Sequence, residues 1–580
     1  MTDEKYSVRN IFLFAMLLCG ATTFIIFVVS VIAWMFLRDP ILISASGRKY
    51  VPSEALIKML CYILFIAILF IYIPLRLKIH EKIISKKSGI VVVTILTYLL
   101  SCASLAVFLS FSTQLVNYEE ISDENPHRDE LLENGIPCYF DLKESFFDAV
   151  SGFTTTGLTA FKTKYVDSDG IEREIRKIDV QPRLIHIIRA TYLWIGGLGI
   201  MFFYLYFTPV PSLMMSMGYE IPTERSLPRF IRLEGLSLFL VYAVITSLGI
   251  FFLFLSVSSA CQYKIDSVTA MTYSVVLAFS SISTGGFSPG EGPVNELGIE
   301  QCSIVTYWGF VVIMVLMLAG AMPIFSLHRP MRFLRRWMIF AMFVLPIFIV
   351  AALSYSDDRP EVSLYRSFDA ISAFTTTGLS TSQFVEDFEM PSEFEYEHRL
   401  EKNTVAEIYR YRIRNVYTIV LMFIGGAGYS TAGGWGFFNV FTIIYILYLI
   451  LTGKMRTLHL IGSEKSRRGV NRVVLALFLS FIIFFSIFII GTILLYTSGL
   501  FGLFSGPEPA AVTDYVINSA FYEISALSTV GLTPEYMLLN GSIYYNNLAY
   551  WTLTVSMLIG RIYYIIFPFL FSLIISEEGT

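Results

Sequence analysis

Residues Phe147 to Leu158 read FDAVSGFTTTGL and residues Phe368 to Leu379 read FDAISAFTTTGL, identical at ten of twelve positions. Two shorter copies are present, SSISTGGF ending at Phe287 and SALSTVGL ending at Leu532. Aligned on glycine, all four share Ser-x-x-x-Thr-x-Gly: Ser151/Thr155/Gly157, Ser280/Thr284/Gly286, Ser372/Thr376/Gly378 and Ser525/Thr529/Gly531. At roughly 7% per residue type, such a pattern arises by chance well under once per chain. A single copy reads as Ser and Thr satisfying helix backbone. Four copies in register are an internal repeat, and repeats govern the architecture.

Working outward, each copy follows a segment of about ten residues and lies between two long apolar runs. The chain has 580 residues, 55% hydrophobic and 15% charged, with net charge -4 and six cysteines. Soluble domains average roughly 45–50% apolar and about 25% charged. These values exclude a soluble enzyme, a disordered chain, a disulfide-dense secreted fold and a basic nucleic-acid binder. A membrane helix needs about 20 mostly apolar residues. Ten runs qualify: 10–37, 55–77, 89–115, 184–209, 235–258, 303–327, 336–355, 415–451, 470–497 and 547–575. None alternates as a barrel strand does. The expected fold is an all-α polytopic membrane protein: two leading helices (1–85), then units at 86–215, 216–332, 333–465 and 466–580, each a span, a short helix, a glycine loop and a span.

Lysine and arginine in short loops set orientation. Segments 76–87, 328–336 and 453–472 are basic and fall on one side with both termini, the expected cytoplasmic side. Segments 117–144 and 382–402 are acidic and fall outside with the four glycine loops. Acidic loops are commonly just solvated, and they also concentrate cations.

Glycine loops at membrane depth suit cation passage. A cation that sheds water needs replacement oxygens, which backbone carbonyls supply. Carbonyls from successive residues face one axis only if some residue takes dihedrals that L-residues avoid and glycine accepts. Irregular backbone survives there only when packed in protein or lining water. A short helix aiming its C-terminus at the axis adds negative partial charge.

On these motifs the chain resembles the Trk/Ktr/HKT superfamily of potassium transporters, most closely the bacterial TrkH/KtrB branch. The resemblance implies four membrane–pore-loop–membrane repeats around one pore. It implies a K+-binding filter at Thr155, Thr156, Gly157 and Leu158; Thr284, Gly285, Gly286 and Phe287; Thr376, Thr377, Gly378 and Leu379; and Thr529, Val530, Gly531 and Leu532. Glycine in all four loops implies preference for K+, with Rb+ as surrogate, and the Gly285-Gly286 pair leaves the second loop the loosest. Residues 425–434 (GGAGYSTAGG) are similar to the family's intramembrane gating loop, which implies gate residues Gly425, Gly426, Gly428, Ser430, Thr431, Gly433 and Gly434. Five glycines in ten residues also break a helix on their own account, at up to about 1 kcal/mol each. The 37-residue run 415–451 is too long for one straight crossing. Arg561, inside an apolar span, costs about 2.5–3.5 kcal/mol to insert and matches the family's pore arginine; it could also snorkel or pair structurally. Two departures stand out: Tyr563 where the family has an acid, and Trp435-Gly436 where it has Ile-Lys.

Asp148 and Asp369, nine residues before a glycine, read as caps or dipole partners of the short helices or as ion ligands; Glu523 is similar. Gly196, Gly197 and Gly320 read as close helix packing. Cys261 and Cys302 are candidates to pair outside, and Cys19, Cys61 and Cys102 read as buried packing residues. No zinc, nucleotide or hydrolase motif appears in its proper context, so no cofactor is expected and K+ is the substrate. The resemblance further implies a bacterial inner-membrane homodimer in lipid that docks a cytosolic nucleotide-binding regulatory subunit through its basic loops, with no nucleic-acid partner. Two other classes remain. One is the K+-translocating subunit of a P-type ATPase complex, which has differently spaced repeats. The other is a polytopic membrane enzyme, which should cluster acids or histidines at span ends.

Overall fold

The structure is a computed structural model and describes residues 2–37, 61, 63–72, 87–114, 139–159, 162–166, 172–176, 181, 183–207, 227–260, 267–289, 305–322, 360–381, 404–427, 430–452, 464–499, 509–534 and 546–576. The expected span at 336–355, the basic segment 328–336, the acidic segment 382–402, Gly428, Cys138, Cys261 and Cys302 lie outside them.

The architecture is helical. The leading helices are α1 (Thr2–Leu37) and α2 (Ile63–Tyr72). The first glycine loop sits between α3 (Lys87–Gln114) with α4 (Leu142–Phe153) and α5 (Arg183–Phe207). The second follows α6 (Leu227–Ala260) and α7 (Ser267–Ile282) and precedes α8 (Tyr307–Gly320). The third lies between α9 (Pro360–Phe374) and α10 (Thr404–Ile424), with α11 (Phe437–Leu451) beyond a break. The fourth joins α12 (Glu464–Ser498) and α13 (Pro509–Leu527) to α14 (Asn547–Ser576). The strands among the described residues form one antiparallel pair, β1 (Lys162–Val166) with β2 (Glu172–Arg176), in register Lys162 to Arg176. It falls in the connection between the first glycine loop and α5.

Five described helices are long and apolar enough to cross a membrane, and the chain is a multi-pass membrane protein. Their burial sorts them. In α5 the apolar window is 89% buried, whereas in α6 and α12 it is 28% and 22%. So α5 is central, and α6 and α12 turn Leu248, Phe251, Ile482 and Ile490 outward, the surface that apolar lipid covers. Cys61 is also exposed, contrary to the packing role expected of it; Cys19 and Cys102 are buried.

Three apolar clusters surround the middle of the molecule. The first joins α3, α4, α5 and α14, the second α5 to α9, and the third α9 to α14. Glycine allows the tightest approaches. A Cβ at Gly196, Gly320 or Gly560 would overlap the carbonyl oxygen of Phe153, Ile282 or Leu527, the last residue of the neighbouring short helix. Close packing is thus the role of Gly196 and Gly320, and of Gly197 against Ser283. Gly560→Ala is expected to cost about 1–3 kcal/mol by overpacking, read as a lower thermal midpoint of the detergent-solubilised protein.

Candidate functional site

All four short helices end in the same way. In the first, Thr154 N–H donates to Val150 O (2.9 Å), Thr155 N–H to Gly152 O (2.9 Å) and Thr156 N–H to Ser151 O (2.7 Å). The i−4, i−3, i−5 series recurs at Ser283/Thr284/Gly285, Thr375/Thr376/Thr377 and Ser528/Thr529/Val530. This is a Schellman termination, which requires a left-handed residue after the cap. Glycine is the usual occupant. Here it is threonine each time, with φ of 58°, 52°, 55° and 51° at Thr155, Thr284, Thr376 and Thr529. The sequence places unusual dihedrals on the loop glycines; the structure adds a second such position, a β-branched residue where such residues are outliers. Strain of this kind costs of order 1–3 kcal/mol and persists only when the surroundings impose it.

The glycines follow two residues later. Gly157, Gly378 and Gly531 have φ of 87°, 85° and 94°, while Gly286 is not in the positive region. They close into a ring. A Cβ at Gly157 would overlap Gly286 N, one at Gly286 would stand 2.8 Å from Gly378 O, one at Gly378 would overlap Val530 O, and one at Gly531 would overlap Thr156 O. Loops one to four therefore touch in chain order, and the last returns to the first. Thr155, Thr156, Thr284, Thr376, Thr377 and Thr529 are buried, as are Leu158, Phe287, Leu379, Val530 and Leu532. Two serines brace the loop exits: Ser280 Oγ donates to Phe287 O and Ser525 Oγ to Leu532 O, each at 2.6 Å.

A second irregular segment lies against this ring. The helix break expected near 425–434 is present, because α10 stops at Ile424 and α11 starts at Phe437. Gly425, Gly434 and Gly436 take φ of 67°, 86° and 99°. The segment docks on the end of α8, using carbonyls a helix C-terminus leaves free: Ala427 N–H donates to Ala321 O (3.2 Å), and Thr431 N–H and Oγ1 donate to Gly320 O (3.2 and 2.8 Å). Its tip meets the left-handed threonines. Thr284 Oγ1 donates to Thr431 Oγ1 (3.0 Å) and Gly433 N–H donates to Thr376 Oγ1 (2.6 Å). The other two hydroxyls, Thr155 Oγ1 and Thr529 Oγ1, are buried with no hydrogen-bond partner among the described residues. Ser430 Oγ donates to Ala427 O (2.5 Å), and Gly426 packs on Ala432.

Arg561, 1% exposed, lies beneath the segment. Its Nη1 donates to Thr431 O (2.8 Å) and its Nη2 to Gly196 O (3.4 Å). Among the described residues its partners are these carbonyls and the Tyr98 hydroxyl, and none is a carboxylate. The two departures from the family pattern meet one another: Trp435 Nε1 donates to Ser480 Oγ (3.0 Å), and Tyr563 is hydrogen-bonded to the same hydroxyl. A neutral Trp435–Ser480–Tyr563 junction ties the segment's exit to α12 and α14.

Two expectations are corrected. Asp148 and Asp369 do not begin their helices. The cap of α4 is Asp141, in a capping box with Glu144. Asp148 instead accepts from Arg189 Nε and Nη2 (2.9 and 2.6 Å) and from the Tyr192 hydroxyl. Asp369 accepts from Thr381 N–H (2.9 Å) and Oγ1 (2.8 Å), holding the segment that leaves the third loop. Glu523 is buried and accepts from Ser556 Oγ (2.6 Å). Among the described residues no group of three or more His, Cys, Asp and Glu could hold a metal ion. What the site offers is peptide and hydroxyl oxygen, suited to a large monovalent cation rather than a tightly chelated divalent one.

Comparison with known proteins gives the following. No family model matches the chain. The Trk system potassium uptake protein TrkH of Halomonas elongata is 24% identical over 447 residues, 72% of this chain and 76% of that protein. An uncharacterized cation transporter of Methanocaldococcus jannaschii is 24% identical over 250 residues, 42% of this chain and 44% of that one. The crystal structure of the potassium transporter TrkH from Vibrio parahaemolyticus superposes with a TM-score of 0.57 at 17% identity, covering 95% of this chain and 97% of that one.

Proposed function

We propose, from the premise that this chain is TrkH-like in fold and in sequence, that it takes up K+ across a bacterial inner membrane through the ring of four loops. The single observation that carries the proposal is the closed contact order of Gly157, Gly286, Gly378 and Gly531. The filter is then Thr155 to Leu158, Thr284 to Phe287, Thr376 to Leu379 and Thr529 to Leu532, each contributed by one repeat (86–215, 216–332, 333–465 and 466–580). A hydrated cation reaches the outer mouth, exchanges water for peptide oxygens in the ring and meets the threonine hydroxyls below. The exchange is near balance for K+, while Na+ holds its water more strongly and gains less from oxygens set at K+ spacing.

Below the ring the path is gated by residues 425–434, whose tip engages Thr284 and Thr376, and by Arg561, whose charge opposes a descending cation. K+ is the substrate, and no cofactor is needed. Both termini face the cytoplasm. The chain works as a homodimer in lipid, with a cytosolic nucleotide-binding partner on its basic loops; these assignments rest on the resemblance.

The direct test is growth. A bacterium lacking K+ uptake is expected to grow at low external K+ when it expresses this chain, and purified protein in vesicles should take up Rb+ down a potential. Absence of both, with the protein folded and inserted, rejects the proposal.

A further inference from the structure

We propose that Arg189, a residue outside the four loops, is a positioning residue that sets the ion discrimination of the second loop through Phe287. The inference deepens the proposed function and rests on it.

The second loop is the odd one of the four. Its central glycine is outside the positive-φ set that the other three share. Where the others carry β-branched Thr156, Thr377 or Val530 it carries Gly285, and where they end in leucine it ends in Phe287. Two successive glycines have more backbone freedom to lose than any other pair, so the conformation must be imposed from outside. Helix α5 imposes it. Leu193 fills the side-chain position that Gly285 leaves empty, 2.6 Å from where a Cβ would stand. The Arg189 guanidinium lies over the Phe287 ring at 3.9 Å, and Tyr192 meets the same ring edge-on at 6.2 Å.

Arg189 itself cannot shift. It is buried, and its Nε and Nη2 are bound in a fork to Asp148 on the first short helix, which Tyr192 also engages. A Cβ at Gly152 on that helix would overlap the Tyr192 ring, so the two elements approach as closely as glycine allows. One charge pair thus ties the helix behind the first loop to the aromatic end of the second, and Ser280 Oγ fixes Phe287 O from the opposite side (2.6 Å). A cation over a desolvated aromatic face is among the stronger contacts of this kind. Loosening it frees the one loop that has glycine, not a β-branched residue, directly before its central glycine.

The test is Rb+ uptake into vesicles, competed by K+ and by Na+, with the ratio of the two inhibition constants as readout. Phe287→Leu installs the residue of the other three loops. The double variant Asp148→Asn/Arg189→Gln removes both charges together, avoiding an unpaired buried ion. In each, the K+ over Na+ ratio is expected to fall at least about threefold. A merely structural role would lower yield or thermal midpoint and leave the ratio alone. An unchanged or raised ratio in either variant, monodisperse and inserted, overturns the proposal. Failure of the wild type to carry Rb+ would instead reject the underlying function.

Discussion

Serine in place of Gly157 is expected to lower K+ over Na+ discrimination by roughly tenfold. Two effects act in the same direction. Gly157 has φ of +87°, and an L-residue in the left-handed region costs roughly 1–2 kcal/mol. Its new Cβ would also overlap Gly286 N and lie 2.6 Å from Gly286 Cα, so the first and second loops must part. Either response changes the spacing of the ring's oxygens, and spacing or field at those oxygens is what separates the two ions. Gly286→Ser is the internal comparison. Its backbone is outside the positive-φ set and its Cβ would meet Gly378 O at 2.8 Å, so one of the two effects is missing and a smaller loss is expected. Competitive Rb+ uptake by wild type and both variants measures this. An unchanged ratio in Gly157→Ser rejects the filter assignment.

Arg561→Ala is expected to raise uptake. The side chain is buried, its guanidinium meets carbonyls and the Tyr98 hydroxyl but no carboxylate among the described residues, and through Thr431 it reaches the hydroxyl of Thr284. At about 8 Å and an effective dielectric near 20, a unit charge raises the energy of a second cation by ~2 kcal/mol. That is more than tenfold in occupancy. Its removal also releases an anchor of the segment at Thr431 O, and both changes favour passage. Arg561→Gln separates them, since it keeps a donor to Thr431 O and loses the charge. If charge dominates, Gln and Ala behave alike; if anchoring dominates, Gln stays near wild type. Equal or reduced flux in both variants at matched protein content removes Arg561 from the gate.

The neutral junction at Ser480 bears on how the proposed gate is held. This chain has Tyr563 and Trp435-Gly436 where the resemblance implies an acid and an Ile-Lys pair. Here the tryptophan and tyrosine share one hydroxyl, and the Phe423 and Phe481 rings pack beside Trp435. The exit of the segment is therefore held by apolar packing and neutral hydrogen bonds. Such contacts are little screened by salt, in contrast to an exposed ion pair.

What could be read from residues alone was whatever repeats or is locally costly. Four copies of Ser-x-x-x-Thr-x-Gly disclosed the loops because spacing along a chain survives translation into any fold. Five glycines in ten residues disclosed the break after Ile424 because a helix cannot absorb that many. A lone arginine in an apolar run announced itself by the cost of inserting it. The tertiary structure decided the rest. That the loops meet in chain order, that threonine and not only glycine adopts the left-handed conformation, and that Asp148 serves Arg189 rather than a helix end all depend on partners distant in sequence. Arg189 lies 41 positions from Asp148, and Thr431 is 147 from Thr284. Such pairings are selected by packing, where each side chain takes the partner the folded neighbours leave open, and no local propensity records which one that is.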